Sequence, residues 1–169
     1  VIIDTVTELD KANKVIKGAS GTTYEYAMLV LALGNVTTYF GIEGLDHYAY
    51  GIKSQEEIKR LQQHLIESFA KPNAADTHFL IIGAGPTGVE LASSLGQYLK
   101  HLKKHFRQPE PRASISLIEA APRVMPRMSE KASAKIAARL KKLGVHVETN
   151  KKVEAETADS LIVSGRPIK

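Results

Sequence analysis

One segment constrains this chain more than any other. Phe79-Leu80-Ile81-Ile82-Gly83-Ala84-Gly85-Pro86-Thr87-Gly88-Val89-Glu90-Leu91-Ala92 sets glycines 83, 85 and 88 in a G-x-G-x-x-G array between an apolar run and the start of an amphipathic pattern. In that context the glycines have separate physical jobs. Gly83 allows a tight strand-to-helix turn, Gly85 leaves the backbone bare where a pyrophosphate can approach, and Gly88 permits close packing of helix on strand. Pro86 suits the first helical position, where its missing N–H is not needed. The free N–H groups of that helix start, with Ala84 and Thr87 in the same loop, then face the phosphates. The pattern calls for an α/β, Rossmann-like NAD(P)-binding domain.

The flanking periodicity agrees. Leu91, Leu95, Leu99, Leu102 and Phe106 recur at helical spacing, and a Pro-broken connection (Pro109, Pro111) leads to a strand at Ser114 to Ile118. Ser129 is placed to cap a helix carrying Ile136, Leu140 and Leu143, with Gly144 to stop it and a strand Val145 to Thr149 after it. The order β-α-β-α-β over 78–149 predicts a parallel, right-handed sheet. Two weaker hairpin-like strands, Val153 to Thr157 and Ser160 to Val163, add a small antiparallel meander. Upstream, residues 1–33 alternate β-branched stretches with turn signals: a strand over Val1 to Val6, a turn at Asp10 to Asn13, and a strand over Lys14 to Lys17. The wholly apolar run Ala27 to Leu33 reads as a strand buried on both faces. Ser54 and Glu57 form a capping box for a helix over 54–70, whose apolar positions are Ile58, Leu61, Leu65 and Phe69. Residues 71–77 read as a linker into the glycine-loop unit.

A dinucleotide site also needs an acid at the end of the next strand to bind the adenosine ribose. Glu119 stands there, 36 residues after Gly83, against the roughly 20 usual for this fold. An insertion of about 97–112, lengthening the helix and its return, accounts for the excess. A carboxylate here repels a 2′-phosphate and favours NAD over NADP; Arg123, with Ala120 nearby, is the reservation, since an arginine can accept that phosphate, although it reads rather as a neighbour of the adenine or a surface residue. Glu90, two residues past the last glycine, has two readings: a carboxylate favoured by the first turn of the helix, or a group beside the nicotinamide that orients it or relays protons.

Composition narrows the chemistry further. With no cysteine among 169 residues there is no disulfide, thiolate metal site or redox dithiol in the chain itself, so redox chemistry must use an organic cofactor. No metal site is expected. The net charge of +5 is concentrated at Lys100, Lys103, Lys104, Arg107 and Arg112; without a stacking platform or reading motif it does not argue for nucleic acid. That basic stretch reads as a solvated face, with contact to anionic lipid as the alternative. Seven residues is the longest apolar run, far short of the ~20 of a membrane-spanning helix. The opening Val1-Ile2-Ile3-Asp4 has no basic leader and reads as the middle of a strand, as in an excised fragment.

Taken together, Tyr24-Glu25-Tyr26 with Leu29-Val30-Leu31-Ala32-Leu33-Gly34, then Phe40-Gly41-Ile42-Glu43-Gly44, the glycine segment, and Leu117-Ile118-Glu119-Ala120-Ala121-Pro122-Arg123-Val124-Met125-Pro126 resemble the two-dinucleotide flavoprotein oxidoreductases. Within that FAD/NAD-linked pyridine nucleotide-disulfide oxidoreductase superfamily they are most similar to type II NADH dehydrogenases, the basic insertion with Phe106-Arg107 being characteristic of that branch. The resemblance implies an FAD domain interrupted by an NAD domain, with hydride passing from NADH to FAD and on to a quinone. It implies that residues 1–34 are a β-meander remnant of the FAD-binding domain, 35–77 a connection, and 78–169 the NAD-binding domain without its final strand. Gly34 would approach FAD and act as a hinge, glycines 83, 85 and 88 with Thr87 would hold the NAD pyrophosphate, Glu119 the ribose, and Glu90 would lie beside nicotinamide and flavin. The parent would sit peripherally at the cytoplasmic face of the membrane, with a homodimer left open, while the fragment would be soluble and bind NADH weakly or not at all. Two alternatives stand: another FAD-dependent NAD(P)H reductase of the superfamily, and a non-catalytic NAD(H)-sensing domain.

Overall fold

The computed structural model describes residues 1–70, 77–105 and 113–168. The chain forms two compact units, Val1–Asn35 and Val36–Lys169. In the first, Asp10 makes the turn: its carboxylate accepts hydrogen bonds from the N–H groups of Ala12 (3.0 Å) and Asn13 (2.9 Å) and from Asn13 Nδ2 (2.8 Å). The turn sets the pairing Asp10↔Val15, Leu9↔Ile16 and Glu8↔Lys17, so β1 is Val6–Asp10 and β2 is Val15–Gly18, with β3 (Thr23–Glu25) added antiparallel. The sequence placed the first strand earlier, over Val1 to Val6. β2 ends at Gly18, opposite Val6, and among the described residues no strand pairs with those before Val6.

A second expectation fails here. Ala27 to Leu33 forms no strand, and Met28 (85%), Val30 (78%) and Leu33 (84%) are exposed. A strand buried on both faces requires neighbours on both sides to take its backbone hydrogen bonds. Among the described residues none pairs with it.

In the second unit a short helix α1 (Leu45–Tyr48) precedes α2 (Gln55–Ala70). The capping box is realised in both directions: Glu57 N–H donates to Ser54 Oγ at 3.1 Å, and Ser54 N–H donates to Glu57 Oε2 at 2.9 Å. Then follow β4 (Thr77–Ile82), α3 (Pro86–His105), β5 (Ala113–Ile118), α4 (Glu130–Lys142) and β6 (Val145–Glu148). The three strands make one parallel sheet in the order β4-β5-β6, as the β-α-β-α-β pattern predicts. Ser129 caps α4, its side chain accepting from Ala132 N–H, and Gly144 ends it in the left-handed conformation at φ +84.

The period of two along the strands sorts side chains to the two faces. Phe79 and Ile81 of β4, Ile115 and Leu117 of β5, and Val145 and Val147 of β6 join Ala92, Leu95, Leu99 and Leu140 in the main core under α3 and α4. Leu80 and Ile118 turn the other way, onto Leu45, Val153, Leu161 and Val163. That second layer is the antiparallel sheet β7 (Val153–Glu156), β8 (Leu161–Val163) and β9 (Arg166–Ile168). The sequence anticipated two of its strands and missed the third, which holds Pro167. As the edge strand, β9 tolerates a residue with no N–H, and Ser164-Gly165, both at positive φ, make the two-residue hairpin that joins it to β8. The linker of 71–76 and the end of the insertion, 106–112 with Phe106 and Arg107, lie outside the described residues.

Candidate functional site: a glycine loop at the end of the parallel sheet

The loop between β4 and α3 is held from below by β5 and left open above. Gly83, at φ +94, donates its N–H to Ile118 C=O at 2.8 Å. Ala84, with no exposed surface, has both backbone groups engaged: its N–H donates to Glu119 Oε2 at 2.7 Å and its C=O accepts from Met125 N–H at 2.8 Å. α3 starts at Pro86, and Val89 N–H closes its first turn on Gly85 C=O at 3.0 Å. A Cβ on Gly88 would collide with Gly83 C=O, so the helix can approach the strand this closely only with glycine there. A Cβ on Gly85 would meet nothing within 4 Å. Gly85 is therefore not demanded by the protein's own packing, and the space above it lies open beside the first-turn N–H groups of Thr87 and Gly88, which have no partner within the helix.

Glu119 is brought to this loop, half-buried at the end of β5. Besides Ala84 N–H, its carboxylate accepts from Ala121 N–H at 2.8 Å, and its backbone is tied to Glu148 at the end of β6 and to Lys151 beyond it. The acid thus cross-links the glycine loop to the turn after β5, a task that its position in the sequence does not disclose. Ala120, beside it, is exposed. Arg123 faces inward on its own loop: Nη1 donates to Met128 C=O (2.6 Å) and Ser133 Oγ (2.8 Å), and Nη2 to Pro126 C=O (2.8 Å). This use of the guanidinium weakens the case for it as an acceptor of a 2′-phosphate.

Glu90 is exposed and is the fifth residue of α3, past a first turn that contains no acid. The reading of Glu90 as a first-turn carboxylate is therefore corrected, since the dipole effect falls off within that turn. Gly34 lies in the other unit, exposed and at φ +69. Ala32 and Leu33 beside it are also exposed and outside any strand.

Sequence reasoning missed one neighbour of the loop. Lys53, just ahead of the capping box of α2, donates from Nζ to Thr87 Oγ1 at 3.3 Å. Nothing in its sequence surroundings distinguishes it from any solvated lysine. No helix among the described residues is long and apolar enough to cross a membrane.

The sequence matches the family described as pyridine nucleotide-disulphide oxidoreductase over residues 1–165. The chain belongs to this family. A type II NADH:quinone oxidoreductase of Mycobacterium tuberculosis is 34% identical over 161 residues, covering 88% of this chain and 35% of that protein. Another from Staphylococcus haemolyticus is 31% identical over 131 residues, 74% of this chain and 32% of that one. The chain thus spans about a third of the length of the curated relatives it matches. Among solved structures, NDH2 from Plasmodium falciparum shares the fold at a TM-score of 0.76 and 24% identity, over 95% of this chain and 35% of that one. A ferredoxin reductase from Rhodopseudomonas palustris does so at 0.74 and 22%, over 99% of this chain and 38% of that one.

Proposed function

We propose that this chain is the NAD(H)-binding part of an FAD-dependent NADH dehydrogenase that passes hydride from NADH to FAD and then to a quinone. The observation that carries the dinucleotide part is the cradle over Gly85: bare backbone at the start of α3, with empty space where a side chain would otherwise point. The type II relatives support the quinone as final acceptor. In this reading residues 1–34 belong to the FAD-binding domain, 35–77 connect, and 78–169 bind NAD(H). FAD is held by other parts of the whole protein, which works as a peripheral enzyme at the cytoplasmic face of the membrane.

Within the chain, Gly83, Ala84, Gly85, Pro86, Thr87 and Gly88 present backbone to the pyrophosphate. Glu119 and Ala120 lie on the adenosine ribose side, where the carboxylate, while still holding Ala84 N–H, has lone pairs left to accept a ribose hydroxyl. Its charge disfavours the 2′-phosphate of NADP, and Arg123 shapes the adjoining loop. Glu90, one turn further along α3, orients the nicotinamide end. Bound NADH supplies the hydride.

The test is the whole protein, purified with its flavin. It is expected to oxidise NADH with a soluble quinone, to use NADPH much more slowly, and to lose turnover in the Glu90→Ala variant with NADH binding retained. A protein that reduces a ferredoxin or a persulfide but no quinone would move the reading elsewhere in the superfamily. One that holds no flavin would point to a dinucleotide sensor.

A further inference from the structure

Lys53 is in an electrostatically odd place. The first turn of a helix carries partial positive charge and ordinarily attracts Asp or Glu. That of α3 contains no acid, and the ammonium of Lys53 lies 3.3 Å from its Thr87 Oγ1. Among the described residues no carboxylate forms an ion pair with Lys53. The Glu57 carboxylate is its electrostatic neighbour, and with one N–H on Thr87 the ammonium keeps further donors for an anion at the loop.

The lysine is also held from behind. Its backbone N–H donates to Glu57 Oε2 at 2.6 Å, Ser54 N–H donates to the same oxygen, and Thr37 Oγ1 donates to Glu57 Oε1 at 3.1 Å. These N–H bonds hold the Glu57 carboxyl below its ordinary value, so it is an anion at neutral pH. It serves as the anchor for the Lys53 backbone, while the ammonium reaches Thr87 at the start of α3. The capping box of α2 thereby aims a charge at the mouth of a different helix.

We infer that Lys53 is a pyrophosphate-binding residue of the dinucleotide site, supplying the full positive charge that the glycine loop lacks and bridging Thr87 to a phosphate oxygen. The inference rests on the dinucleotide reading above. It adds a contact from the segment ahead of α2, outside the β-α-β unit that carries the fingerprint, so binding of the pyrophosphate also fastens that segment to the start of α3.

The test uses the whole protein and ADP-ribose, which carries the pyrophosphate without the hydride, by titration calorimetry at low and high ionic strength. Lys53→Met is expected to weaken ADP-ribose on the order of tenfold or more, the worth of a charge-assisted hydrogen bond. Lys53→Arg should restore most of it. The affinity of the parent should fall with added salt more steeply than that of Lys53→Met, and thermal stability without ligand should be unchanged, because Lys53 is exposed. Should the parent bind ADP-ribose, lose it on Gly85→Val, and yet be indifferent to Lys53→Met, the lysine has no such role although the dinucleotide reading survives. A Lys53→Met variant that loses thermal stability together with affinity, with no rescue by arginine, would make the residue merely structural and overturn the inference. If the folded parent binds neither ADP-ribose nor NADH, the dinucleotide reading itself falls and Lys53 with it.

Discussion

Removing the Glu119 side chain tests whether an acid expected to bind a ribose also holds the loop together. In Glu119→Ala two charge-assisted hydrogen bonds disappear, from Ala84 N–H at 2.7 Å and Ala121 N–H at 2.8 Å. The two losses are unequal. Ala84 has no exposed surface, so its N–H is stranded without water, whereas Ala121 is only half-buried and can be rehydrated. A hydrogen bond to a charged group contributes about 1.5–3 kcal/mol, and one that water can replace contributes about 0.5–1.5 kcal/mol. The sum puts the destabilisation at about 2–4.5 kcal/mol, and at roughly 2–4 °C per kcal/mol for a chain of this size the midpoint should fall by roughly 4–18 °C. Urea unfolding followed by circular dichroism measures the first and a thermal scan the second. Glu119→Gln should fall between parent and alanine variant, since its carboxamide oxygen serves one N–H while its NH2 opposes the other. A Glu119→Ala protein within about 0.5 kcal/mol of the parent, the range of an ordinary surface substitution, would refute the claim that the carboxylate fastens the loop.

Other consequences follow from groups around the site. Arg123→Ala removes three hydrogen bonds that close the loop ahead of α4, and should cost about 2–3 kcal/mol in urea unfolding while leaving the preference for NADH over NADPH unaltered in a competition titration. The Glu57 carboxyl is held below its ordinary value by the N–H groups of Ser54 and Lys53. Its contribution to stability is therefore complete above the usual glutamate range and lost as pH falls through the depressed value, so the stability difference between parent and Glu57→Gln should be constant at neutral pH and close only in acid. Glu156 is the opposite case: burial pushes its carboxyl up, and its Oε2 is shielded with no hydrogen-bond partner among the described residues. Its charged form disfavours folding, so Glu156→Gln should be the more stable protein at neutral pH, with the advantage vanishing as pH falls below the usual glutamate range; urea midpoints across a pH series check both.

What could be read from the residues alone was the part of the fold whose information is local. The glycine loop, the capping box at Ser54 and Glu57, the cap at Ser129 and the stop at Gly144 each rest on side chains a few positions apart, and the structure shows the geometry those residues call for. Ala27 to Leu33 is the counterexample: an apolar run says that a segment suits burial, but not whether a neighbouring strand is present to bury it. The third strand of the small meander was hidden by Pro167, which is a breaker in a central strand and harmless at an edge. At the site the same division holds. The positions of Gly83, Gly85, Gly88 and Glu119 were legible as an array, whereas the grip of Glu119 on Ala84 N–H spans 35 residues and the contact of Lys53 with Thr87 spans 34. Neither leaves a trace in spacing, because each is created only when the sheet and α2 bring distant segments together.

The backbone cradle is tested most directly by placing one methyl group in it. Gly85 has no left-handed φ, and a Cβ there meets nothing within 4 Å, whereas a Cβ on Gly88 runs into the Gly83 carbonyl. Calorimetric titration of the whole protein with ADP-ribose, parent against Gly85→Ala, isolates the ligand from the fold. The cradle predicts that Gly85→Ala unfolds at the same temperature as the parent and has lost most of its ADP-ribose affinity. A Gly85→Ala protein that is equally stable and binds ADP-ribose as tightly as the parent would contradict it.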